Sequence, residues 1–122
     1  MFKNLVKKAV SVALESDLRY KHVAFIMKNK NVLCVGWNKG KSHPAIYNHP
    51  YRSMCNNIHA ELDAVIKYGR TDCSDYTLVV MRVRKDGTLG NSKPCLGCQH
   101  VMQQVGFKSV YYSDGAGNFA LL

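Results

Sequence analysis

Apolar residues at Phe2, Leu5, Val6, Ala9, Val10 and Ala13 keep the i, i+3, i+4, i+7 spacing of one helix face, and Lys3, Lys7 and Lys8 fall off that stripe. Two β-rich runs follow, His22–Met27 and Val32–Trp37, with Lys28-Asn29-Lys30-Asn31 between them as a hairpin turn. The pattern then lapses from Asn38 to Asn57, a stretch holding Pro44 and Pro50 that exceeds the usual loop length; loops of that size are often functional. Asn57 is a good N-cap for a second helix running through Ile58, Leu62, Val65 and Ile66 to Gly69, a good C′ residue. Tyr76–Val83 is apolar almost throughout, as expected of a strand covered on both faces. Lys85–Lys93 reads as a polar loop. A third helix opens at Pro94 or Cys95, carries Cys98, Val101, Met102 and Val105 on one stripe, and stops at Gly106. Ser109–Tyr112 is a fourth strand, and Asp114–Asn118 turns it back into a fifth, Phe119–Leu122. The order α-β-β-α-β-α-β-β predicts an α/β sandwich.

At 122 residues without internal repeat or linker, the pattern describes one domain over 1–122, and 47% apolar residues suffice for its core. Charge adds a direction. Seventeen Lys and Arg against eight Asp and Glu give +9, and residues 1–60 carry ten bases against Glu15 and Asp17 alone. An anionic partner facing the first half fits this imbalance, whether the phosphate of a nucleotide or an RNA or DNA strand; a solvated basic face gives the same count. No apolar h-region follows the N-terminus, and the longest unbroken apolar run, Val23–Met27, is far too short to span a bilayer. Five scattered cysteines, an odd number, suggest a reducing compartment. The expectation is a cytoplasmic protein with no membrane partner.

Two short segments carry chemistry: His59-Ala60-Glu61 at the start of the second helix and Pro94-Cys95-Leu96-Gly97-Cys98 at the start of the third. Cys95 and Cys98, three apart, share a helix face, and the positive end of the helix dipole favours their thiolates. One imidazole and two thiolates make a three-ligand Zn²⁺ set that leaves a fourth position open, the arrangement of catalytic zinc. Zinc lowers the pKa of bound water to about 7, and Glu61, not itself a ligand, is placed to move its proton. Taken singly, each piece has a plainer reading. CxxC serves redox pairs and structural zinc sites, His59 alone reads as a core histidine, and Glu61 alone as a first-turn acid. The joint pattern, HxE and then PCxxC with one strand between, matches the described signature of zinc nucleobase deaminases.

On those residues the chain resembles the cytidine deaminase-like superfamily over nearly its whole length. The resemblance implies a three-layer α/β/α sandwich with a five-stranded mixed sheet and helices on both faces. It also implies zinc held by His59, Cys95 and Cys98. Gly36-Trp37-Asn38 resembles the family motif after the second strand, which makes Asn38 a contact to the substrate sugar; a turn asparagine is the plainer reading. The backbone N–H of Ala60 is implied to meet a base carbonyl. The implied reaction is hydrolytic deamination, with zinc-bound hydroxide attacking C4 of cytosine and Glu61 shuttling protons to N3 and the leaving amine; adenine C6 chemistry uses the same parts.

Substrate identity stays open at this point. His as first ligand is similar to deoxycytidylate, tRNA adenosine and polynucleotide cytidine deaminases, whereas an antiparallel last hairpin is similar to the free-cytidine branch. The segment from Lys41–Pro44 through Tyr51-Arg52, and the loop Lys85–Lys93, resemble small phage-type deaminases often grouped with deoxycytidylate deaminases. The leading expectation is dCMP to dUMP, with Lys41, Arg52 or Lys93 for the phosphate. The alternatives are a deaminase of single-stranded DNA or RNA, using the basic half with Trp37, Tyr47 and Tyr51 as a stacking groove, and a non-catalytic zinc-binding module. Tyr111, Tyr112 and Phe119 read as core or interface packing, and Cys34 and Cys73 as small buried hydrophobes. Cys55, as a fourth ligand, would close the metal to water. His43, His49 and His100 have no spacing that recruits them to the metal, and the resemblance implies a homo-oligomer.

Overall fold

The computed structural model describes residues 2–40, 59–69 and 72–122. Along them run α1 (Lys3–Ala13), β1 (Lys21–Lys28), β2 (Asn31–Trp37), α2 (Ala60–Tyr68), β3 (Thr77–Val83), β4 (Leu89–Gly90), α3 (Leu96–Val105), β5 (Ser109–Ser113) and β6 (Phe119–Leu121). The alternation of strand side chains divides the molecule. Val23, Phe25 and Met27 of β1 and Val79, Met81 and Val83 of β3 point to the side covered by Leu5, Ala9 and Ala13 of α1. Ala24, Ile26, Leu78 and Val80 point the other way, against Ala60 and Ala64 of α2 and Cys98 and Met102 of α3. Burial on both faces explains the continuous apolar run of β3. The three-layer α/β/α sandwich expected from the resemblance is present.

The sheet runs β2-β1-β3-β5-β6, with β4 paired to the end of β3. Among the described residues only the β3–β5 pairing is parallel, its crossover made by α3; β1 lies antiparallel to both β2 and β3, and β5 to β6. The hairpin turn at Asn29 works because that residue takes a left-handed φ of 56°, which asparagine tolerates. Gly69 and Gly106 end α2 and α3 in the same conformation, as their positions predict. Phe2 packs its ring on Tyr111 and Phe119, at 5.2 and 5.4 Å between centroids, so those aromatics are packing residues. No helix is long and apolar enough to cross a membrane among the described residues.

Three expectations change. The loop Lys85–Lys93 contains the two-residue β4, because Leu89 and Gly90 pair with Val83 and Arg82 and make the sheet six-stranded. Helix α2 begins at Ala60 and not near Asn57: His59 is its N-cap and makes no side-chain capping bond, its ring being turned to the cysteines. Cys73 is buried, but Cys34 is only partly so and directs its thiol at the Ala64 carbonyl, 3.6 Å away. The expectations placed on Lys41–Pro44, Tyr47, His49, Tyr51-Arg52, Cys55 and Asn57-Ile58 lie outside the described residues.

Candidate active site

His59 and Cys95 occupy the N-cap positions of α2 and α3, both in extended backbone, and α3 delivers Cys98 one turn later. His59 Nδ1 lies 3.4 Å from Cys95 Sγ and 3.3 Å from Cys98 Sγ, and the three ligand atoms fall within 4.8 Å of one another. Nitrogen and sulfur ligands around a tetrahedral zinc sit about 3.5 Å apart. Both nitrogen–sulfur distances therefore fit zinc. The Cys98 N–H donates to Cys95 Sγ at 3.4 Å. Hydrogen bonding from Cys98 and then from His59 holds the Cys95 thiol down to about 3, and the same contact with Cys95 pushes His59 up. Cys95 is thus a ready thiolate, the form that binds metal. Sequence spacing had joined the two cysteines; the fold adds the imidazole and selects Nδ1 as its facing nitrogen.

Glu61, on the first turn of α2, is 6% exposed. Burial pushes its carboxyl up from the usual range, outweighing its backbone hydrogen bond and the pull of His59. It lies outside the ligand cluster, so its oxygens remain available for protons. A carboxyl of that kind beside a metal site can take a proton and give it back.

Helix α2 is held by features with no periodic signature. A Cβ on Gly36 would come within 2.4 Å of the Ala64 nitrogen and 2.6 Å of the Ala60 oxygen, so β2 meets the backbone of α2 directly. Buried Asp63 accepts from the Trp37 N–H at 3.1 Å and pairs with Lys39 at 3.0 Å and Lys67 at 2.7 Å. Both lysines also cover the Trp37 ring, Lys67 at 3.4 Å from its centroid. Trp37 therefore belongs to a clasp between β2 and α2, and its lysine-covered ring is not an open stacking platform.

A cavity of about 450 Å³ opens on this group, lined by His59, Ala60, Glu61 and Cys95 together with Leu18, Arg19, Tyr20, His22, Asn38, Ser92 and Lys93. Asn38 is where the motif expected it, but its amide is largely committed. Oδ1 accepts from Ser16 Oγ at 2.8 Å and from the His22 N–H at 2.9 Å, and Nδ2 donates to the Tyr20 carbonyl at 2.5 Å. One Nδ2 hydrogen remains. Ala60 opens its helix, so its N–H has no intrahelical acceptor. His22 Nδ1 lies 2.9 Å from buried Ser92 Oγ, and burial, then Arg82 and His59, lowers the ring to about 4, so it is neutral at pH 7. Of the three phosphate candidates only Lys93 falls among the described residues, and it does line the cavity. Arg19, His22 and Ser92 were missed. They lie in a strand end and two connections, where residue type alone carries no signal.

Residues 2–114 match the family described as the cytidine and deoxycytidylate deaminase zinc-binding region. No curated protein matches the chain in sequence. Among solved structures, a cytidine deaminase from Burkholderia pseudomallei has a TM-score of 0.66 at 17% identity, covering 100% of this chain and 91% of that one. The dCMP deaminase of cyanophage S-TIM5, in complex with dCMP and dUMP, gives 0.58 at 22% identity over 90% and 78% of the two chains. A guanine deaminase from Bacillus subtilis gives 0.56 at 20% over 93% and 64%. At such identities the likeness is one of fold.

Proposed function

We propose a substrate for this protein from a plain premise: the chain belongs to the cytidine and deoxycytidylate deaminase zinc-binding family and is a zinc-dependent deaminase. The substrate is a cytosine base carried on a phosphorylated nucleotide, with dCMP to dUMP as the reaction. The supporting observation is the cavity itself. Among the described residues it is lined, besides Glu61 and the metal-site residues, by two cations, Arg19 and Lys93, and Glu61 is the one acid in that lining. A nucleotide fits a pocket of this size, and a monophosphate suits the two cations.

His59, Cys95 and Cys98 would hold the zinc, which when bound would supply the Lewis acidity that brings water to nucleophilic strength near neutral pH. Glu61 takes the proton of the attacking water and delivers it to ring N3 as the C4–O bond forms. It then takes the proton of the new C4 hydroxyl and carries it to the exocyclic nitrogen; the C4–N bond breaks, the C4 carbonyl forms, and ammonia leaves. Its raised affinity for protons suits both transfers. In this reading the Ala60 N–H meets the base carbonyl, and the remaining Nδ2 hydrogen of Asn38 meets the sugar. A homo-oligomer remains part of the proposal, to be read from light scattering.

Free cytidine is the first competitor, since the antiparallel β5–β6 pair is similar to that branch. Single-stranded nucleic acid is the second. Mass spectrometry of the zinc-loaded protein with dCMP, dCTP, cytidine, adenosine, a cytosine-containing DNA oligonucleotide and a tRNA anticodon stem-loop separates them. The expected result is turnover of dCMP, lowered about 10²–10⁴-fold in Glu61→Ala, with Arg19→Ala raising KM for dCMP more than it lowers kcat. Equal kcat/KM for cytidine and dCMP would overturn the phosphate reading, and turnover of the oligonucleotide alone would replace it with the strand reading.

A further inference from the structure

A second cavity, of about 740 Å³, lies at the end of the sheet where β1 begins and β3 ends. Val10, Ala13 and Leu14, at the end of α1, and Val83 of β3 give it an apolar lining. The rest is basic. Among the described residues, Arg19, Lys21, Arg82, Arg84 and Lys85 line it against a single acid, Asp86. Direct ion pairing among the described residues is confined to Asp63 with Lys39 and Lys67, so none of these five cations has a carboxylate in contact, and Asp86 acts on Arg84 only at longer range. Their contacts are to neutral groups. Lys21 Nζ donates to the Ser16 and Leu18 carbonyls, and Arg84 to Thr88 Oγ1 and the Gly115 carbonyl at a long 3.4 Å each. Arg19 and Arg82 stand over the Tyr20 ring, 5.5 and 4.7 Å from its centroid. Asp86 is itself engaged by the Thr88 N–H and hydroxyl. Five like charges drawn to one concavity repel one another until an anion enters. Arg19 and Tyr20 also line the catalytic cavity, so the two share a wall.

We propose that this second cavity binds a run of phosphate groups, separately from the site that holds the reacting base. The three guanidinium forks of Arg19, Arg82 and Arg84 can each donate to two phosphate oxygens, and the lysines add charge without demanding geometry. Two sources present the same chemistry: the phosphodiester backbone of a strand whose target nucleotide sits beyond the Arg19–Tyr20 wall, or the polyphosphate of a free nucleotide. The inference goes beyond the substrate assigned above and depends on binding alone, so it is read whether or not dCMP is turned over.

The test uses zinc-loaded protein and two probes: inorganic tripolyphosphate by calorimetry, and a fluorescein-labelled 15-residue oligothymidine by anisotropy between 50 and 200 mM salt, concentrations chosen to span strong phosphate dependence. Arg84→Ala/Lys85→Ala removes two cations that do not line the catalytic cavity, and Lys85→Glu reverses one; melting temperature and zinc content report that each variant is folded. At least one probe is expected to bind the unaltered protein, and both variants to weaken it tenfold or more. For the strand, the slope of log affinity against log salt should fall by about two in the double variant. Binding of oligothymidine without tripolyphosphate assigns the site to a strand, and the reverse to a free polyphosphate. The inference is overturned if neither probe binds, or if both variants bind them as the unaltered protein does.

Discussion

The two faces of the sheet are built on different terms. Under α1, the contact is apolar and forgiving: Leu5, Ala9 and Ala13 meet Val23, Phe25, Met27, Val79, Met81 and Val83, and no buried charge intervenes among the described residues. Under α2, small residues bring backbones together at Gly36, Ala60 and Ala64, and both buried carboxylates, Glu61 and Asp63, belong to this one helix. One face stabilises by burying area. The other spends its packing on holding a helix start still enough to place an imidazole, a carboxyl and an N–H in one cavity. The lesson is that damage to either face lowers stability, while only damage to the second should reach the chemistry.

The sharpest way to break this comparison is at the metal. Cys98→Ser is expected to lose zinc and to abolish turnover, checked by metal analysis of the purified protein; a zinc-replete, active variant would remove the ligand set from the account. Next comes a matched pair. Gly36→Ala must push α2 away from β2, and a displacement of roughly 1 Å is enough for about a 10²-fold loss of kcat/KM. Leu5→Ala on the opposite face should cost about 3 kcal/mol in denaturant unfolding while kcat stays within a few-fold. Equal effects of the two on kcat would erase the distinction between the faces.

His22 sharpens the comparison through pH. Its folded-state value, about 4, lies below the unfolded 6.5, so the unfolded chain binds the extra proton between those values. Stability from neutral His22 is present above pH 6.5 and is lost as pH falls toward 4, by up to about 3 kcal/mol. Denaturant unfolding at pH 7 and pH 4.5 should therefore show a smaller acid loss in His22→Asn than in the unaltered protein; identical losses would mean that the buried ring does not titrate as described. The smallest effect belongs to the clasp. Asp63→Asn keeps the shape but frees Lys39 and Lys67, both partly exposed, so the expected cost is only about 1–2 kcal/mol. A kcat loss larger than the stability loss suggests would make Asp63 a positioning residue for α2.

Much of this was legible in the chain. The α1 stripe, the β1–β2 hairpin, the terminating glycines and the CxxC pair are short-range patterns, and short-range sterics and periodicity enforce them locally. The beginning of α2 was misjudged because a good N-cap at Asn57 is a local preference, while His59 takes the cap position with its ring committed to cysteines 36 and 39 residues away. Strand β4 escaped because two residues carry no period; its pairing with β3 defines it.

The sequence by itself determined the order of the helices and of every described strand but β4, the two-sided burial of β3, and the one-turn spacing of Cys95 and Cys98, since each depends on residue type at fixed local spacing. The tertiary structure decided which nitrogen of His59 faces the thiolates, that Asn38 spends most of its amide on Ser16, Tyr20 and His22, and that Asp63 draws two lysines onto Trp37. It also decided that Arg19, from a segment without pattern, lines two cavities at once. Those outcomes turn on distances between residues far apart in the chain, and such distances are set only when separate helices and strands pack.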